Sequence, residues 1–95
     1  MEIQEAYKQK KAAQLKEWGA QINLMEAKLE SIGADMQVKR AEQIKALRAQ
    51  QHLASEKMKE LGKASGDAWE QVKVTADKVW DDLKIGVADA HSKFK

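Results

Sequence analysis

From Leu15 to Leu61 apolar residues recur at helical spacing, uninterrupted by proline. Leu15, Trp18, Ile22, Met25, Leu29, Ile32 and Met36 alternate gaps of three and four, the a/d seam of a coiled coil. Ile44, Leu47, Met58 and Leu61 carry the stripe onward, and Gln51 and Ala54 occupy its polar, small middle. A chain so patterned is a long-helix protein before it is anything else. Its composition agrees: 34% charged, 5% aromatic, and neither proline nor cysteine among 95 residues.

That length allows one domain. Without cysteine there is no disulfide framework and no thiolate metal site. A formal net charge of +2 is nearly balanced, so no nucleic-acid partner is expected. The first residues, Met1 to Glu5, lack the basic and apolar segments of a leader, and no apolar run approaches the roughly 20 residues of a membrane span. The expected location is the cytoplasm.

Residues 2 to 14 read as an exposed, fraying start, since Lys8, Lys10 and Lys11 dilute the apolar face of Ile3 and Tyr7. Gly19 is placed on the outer side of the helix. Trp18 is large for a two-stranded seam and predicts three or four helices meeting around it. At Ser31-Ile32-Gly33-Ala34-Asp35, composition suggests a stop and a new start, while the apolar spacing runs straight through. The spacing favours one helix over about 2–61; a three-helix bundle turning near Gly33 is the alternative.

Gly62-Lys63-Ala64-Ser65-Gly66-Asp67 is the strongest break. Gly62 is expected to close the long helix in the left-handed conformation, and Asp67 with Glu70 forms a capping-box spacing for the next one. That helix, about 67–93, lines up Trp69, Val72, Ala76, Trp80, Leu83 and Val87 on one face. A helix of about 60 residues is roughly 90 Å long at 1.5 Å per residue. Folded back, the last helix would cover only half of it, leaving Trp18, Ile22 and Met25 bare. The arithmetic predicts a homo-oligomer, a dimer or larger, closed by two-fold symmetry. The expected interface is Leu15, Trp18, Ile22, Met25, Leu29, Ile32, Met36, Ile44, Leu47, Met58, Leu61, Trp69, Val72, Trp80, Leu83 and Val87.

No catalytic constellation is legible. His52 and His91 lack any helical metal-ligand spacing, and Asp77 with Asp81, or Glu26 with Glu30, read as solvated carboxylates. No glycine-rich phosphate loop is present. No enzyme, cofactor or metal site is expected. A tryptophan-bearing amphipathic helix could instead lie on a membrane surface, although the balanced polar face of 67–93 disfavours anionic lipid. Another helical protein is a further candidate partner.

Two blocks resemble a known family. Gln14-Leu15-Lys16-Glu17-Trp18 with Ala20-Gln21-Ile22 forms the first. Ser65-Gly66-Asp67-Ala68-Trp69-Glu70, Val79-Trp80-Asp81-Asp82-Leu83-Lys84 and Ser92-Lys93-Phe94-Lys95 form the second. They look like the small bacterial coiled-coil stress-response proteins of cyanobacteria and proteobacteria. The resemblance implies a helical, non-enzymatic, cytosolic protein, with no catalytic residues to transfer. Members of that family usually lack a glycine at the position of Gly33.

Overall fold

The computed structural model describes residues 3–94. The expected helix start at residue 2, the leader reading on Met1 and Glu2, and Lys95 of the resembling block lie outside the described residues. Three α-helices follow one another: α1 (Ile3–Lys28), α2 (Ala34–Lys63) and α3 (Asp67–Lys93). Short turns send α2 back along α1 and α3 back along α2, with α2 packing most extensively on α3. The result measures 51 × 20 × 17 Å, the length of one helix rather than a 90 Å rod.

The uninterrupted helix over 2–61 is therefore corrected. A single 3₁₀ turn, Leu29–Ser31, ends α1, and Ile32 and Gly33 leave helical geometry for extended backbone. The physical reason is local. The last carbonyls of a helix have no partner inside it. Here the Ser31 hydroxyl donates to Lys28 O at 2.8 Å, and the Gln37 side-chain amide donates to Leu29 O at 2.7 Å. These side chains satisfy groups that a continuing helix would have used. Gly33 is the N-cap of α2, and its carbonyl accepts from Gln37 N at 2.9 Å.

The second turn also differs from its reading. Gly62 stays inside α2, which runs on to Lys63 before extended Ala64 ends it. The positive φ falls on Gly66 instead (φ 59°, ψ −131°), where a side chain would be strained. Gly66 is the N-cap of α3, so Asp67 opens the helix proper, and no side chain caps it. Asp67 and Glu70 still place acidic charge in the first turn, where the helix dipole favours it.

The core draws on all three helices: Trp18, Ile22 and Met25 from α1; Ile44, Leu47, Ala54 and Leu61 from α2; Trp69, Ala76, Trp80, Leu83, Val87 and Ala90 from α3. Trp18, Trp69 and Trp80 are all buried within one chain, at 9%, 4% and 1% exposure. The expectation that the first half of the seam stays bare until a second copy covers it is corrected. It rested on a rod. The break at residues 29–33 lets α1 fold back and hide Ile22 and Met25 against its own chain. Trp18 belongs to the one buried cluster to which all three helices contribute.

Candidate helix interface

Ten of the residues expected at helix interfaces are buried inside the bundle: Trp18, Ile22, Met25, Ile44, Leu47, Leu61, Trp69, Trp80, Leu83 and Val87. Leu15, Leu29, Met58 and Val72 pack half-buried on its margin. Ile32 is half-buried in the turn, and Met36 is 40% exposed, off the seam. The apolar spacing across the break does not mark a continuous stripe. Two helices facing one core keep it.

The fraying start is also corrected. Tyr7 and Lys11 dock on α3 and tie the first helix to the third. The Tyr7 ring meets Trp69 edge to face at 5.4 Å between centroids, and its hydroxyl donates to Asp77 Oδ1. Lys11 Nζ lies 3.2 Å from Asp77 Oδ1, 5.2 Å from the Tyr7 ring centre and 5.7 Å from that of Trp80. The indole N–H of Trp80 donates to Lys11 O at 3.1 Å. A buried indole needs such a partner, and a lysine stem can line an apolar seam while its head reaches charge.

Electrostatics follow from these contacts. Burial, then the hydrogen bond to Asp77 and its negative charge, pushes the Tyr7 phenol well above its ordinary value. Burial alone would raise Asp77. The hydrogen bonds from Tyr7 and Lys11, with the charges of Lys11 and Lys73, outweigh it and hold the carboxyl below its usual range. Asp77 is thus an ion-paired, hydrogen-bonded acid whose side chain stays partly in solvent, rather than a merely solvated one. The signal that could have found this cluster is the spacing Tyr7, Lys11, Gln14, Trp18, which extends the seam backwards once a lysine is allowed on it.

The polar middle of α2 has its own partners. A methyl group on Gly19 would lie 2.8 Å from Gln51 Nε2, and one on Gly86 would lie 2.9 Å from Gln50 Oε1 and 3.0 Å from Leu47 Cδ2. Each glutamine thus fits against a glycine of a neighbouring helix. Gly19 is buried, not on the outer side. Arg48 bridges to α1, donating to Asn23 Oδ1 at 2.6 Å.

Both histidines are exposed, His52 standing 3.9 Å from Glu56. Among the described residues no three His, Cys, Asp or Glu side chains gather as metal ligands. No described helix is long and apolar enough to cross a membrane. An open cleft of about 650 Å³ between α1 and α2 is lined by Leu15, Gly19 and Met58 among others.

Fold and contacts together define an up-down-up three-helix bundle, its first helix clamped to its third by tyrosine, lysine and aspartate. The chain matches no family model, no curated protein and no solved structure in comparison with known proteins.

Proposed function

We propose that this is a non-enzymatic helix-docking protein whose first partner is another copy of itself. The carrying observation is that large apolar side chains remain in solvent on every helix after the core is packed. Trp18, Ile22 and Met25 are consumed by the bundle. Ile3 and Leu24 on α1, Val38 and Leu53 on α2, and Val74 and Ile85 on α3 are left exposed. Exposed apolar surface of this kind is what helix docking would cover. The bacterial stress setting that the resemblance implies supplies the biological context of this reading.

A membrane-surface role is less well supported, because Trp69 and Trp80 are in use as core. To offer them to lipid, α3 would have to leave α2.

Sedimentation velocity over a concentration series tests the docking reading. The weight-average mass is expected to rise from 10.7 kDa toward twice that value as the chain is concentrated. A mass that stays at one chain throughout overturns it.

A further inference from the structure

The seams of α1 and α2 repeat at a fixed distance across the turn that separates them. Leu15 and Gln51, Trp18 and Ala54, Ile22 and Met58, Met25 and Leu61 each stand 36 residues apart. At about 3.6 residues per turn, that is a whole number of helical turns. Drawn as one straight helix, the inward faces of α1 and α2 therefore point the same way. Leu29, Ile32 and Met36 fall on that side too, about one, two and three turns after Met25. The folded bundle has no use for this agreement. Once the backbone turns at residues 29–33, each helix orients its face independently.

Little holds the turn in place. Ser31 on Lys28 O and Gln37 on Leu29 O are side-chain bonds, and the backbone of a continuing helix would replace them. The core contacts of α1 need an α2 and an α3, whichever copy supplies them. Because α3 packs most extensively on α2, those two stay together and α1 is the piece that can leave.

We infer that the turn is a hinge, and that two copies of the chain exchange α1 through it. Each turn straightens to give one helix from Ile3 to Lys63, and each α1 seats on α2 and α3 of the second copy. This rests on the docking reading above and names how the copies engage. Exchange of an identical element re-forms the contacts of the single chain between two chains, which makes it a low-cost route to a dimer. Tyr7 and Lys11 then reach Asp77 of the second copy. Register places the symmetry axis. Gly19 lies against Gln51, and Arg48 donates to Asn23; the midpoint of each pair is at or just after residue 35. Two straight helices paired antiparallel in that register cross there. Ile32, half-buried in the single chain, and Met36, 40% exposed, meet their counterparts at the crossing. These are the contacts that the exchanged form adds.

Gly33 gives the test two arms. Its φ of −62° suits any residue, and nothing lies within 4 Å of an added Cβ, so the turn accepts alanine or proline. Ile32 before it is extended, the conformation favoured ahead of proline, and among the described residues the Gly33 N–H donates to no carbonyl. The straight helix treats the two substitutions oppositely, since alanine favours a helix interior and proline breaks one.

Each chain is refolded from denaturant over a range of concentrations, so that helices are free to exchange, and its mass is read by sedimentation equilibrium. Gly33→Ala is expected to tighten the dimer roughly tenfold, the gain counting once per chain. Gly33→Pro is expected to keep its helix content and stay at the mass of one chain. Gln37→Ala, which removes a bond that only the turn makes, should move the balance in the same direction as Gly33→Ala. If the wild type dimerises and neither alanine variant strengthens the dimer, or a folded Gly33→Pro chain dimerises as well as the wild type, exchange is wrong while self-association stands. If the wild type and Gly33→Ala both stay monomeric, both fall.

Discussion

At the scale of single residues, Tyr7 and Asp77 make the clamp between α1 and α3 measurable. Asp77 has a lowered folded pKa. Its contribution to stability is present above the unfolded carboxylate value, near 4, and is lost as pH falls through the lower folded value. Tyr7 has a raised one. Its contribution is whole below the unfolded phenol value, near 10, and is lost as pH rises toward the folded value. The link between α1 and α3 is thus strongest between those limits. Tyr7→Phe is expected to cost about 1 kcal/mol at neutral pH. Thermal unfolding of wild type and variant across alkaline pH should show that difference shrink above about pH 10. Since the chain has one tyrosine, its ultraviolet titration reports Tyr7 alone and should begin later than in the unfolded chain. A difference that persists unchanged through high pH would deny the hydroxyl its role.

Elements show where the sequence is legible and where it is not. The last helix is plain from Trp69 to Val87, because one dense apolar face on a lysine- and aspartate-rich helix admits one orientation. The break at residues 29–33 is written in Ser31 and Gly33, but Ile32 and Met36 keep the apolar phase and hide it. Phase records which side of a helix faces apolar surroundings; it is blind to whether the backbone turned on the way. The deciding contact, Gln37 on Leu29 O, joins residues of two different elements and has no local signature. The clamp at Tyr7 was obscured for a related reason, since Lys11 interrupts the apolar stripe while its stem still packs. Glycines within the helices separate by what surrounds them. Gly62 has open space where a side chain would go, and Gly62→Ala is expected to stabilise by about 0.5–1 kcal/mol through helix propensity. Gly86→Ala is expected to destabilise despite the same gain, because Leu47, 4% exposed, cannot withdraw. Chemical denaturation of the two variants decides it; equal shifts would mean the Gly86 contact is soft.

For the whole molecule, the consequence of folding α1 back is that one chain shelters its own indoles. Adding anionic vesicles is expected to leave the tryptophan emission maximum where it is, because Trp69 and Trp80 are already in an apolar interior. A blue shift with recovery of the protein in the vesicle pellet would instead favour the lipid-surface role over the helix-docking one. What is left for a partner is the scattered apolar surface outside the bundle, Val38, Val74 and Ile85 as well as Ile3 and Leu24, and this suits an assembly that forms and dissolves with concentration.

Gln50 and Gln51 lie near mid-length of α2, each against a glycine of a different neighbour. Were either outer helix to slide by one turn, an amide would press into a bulkier side chain and its glycine niche would stand empty. The bundle is thus indexed at its waist, and its two ends can loosen without the three helices losing count of one another.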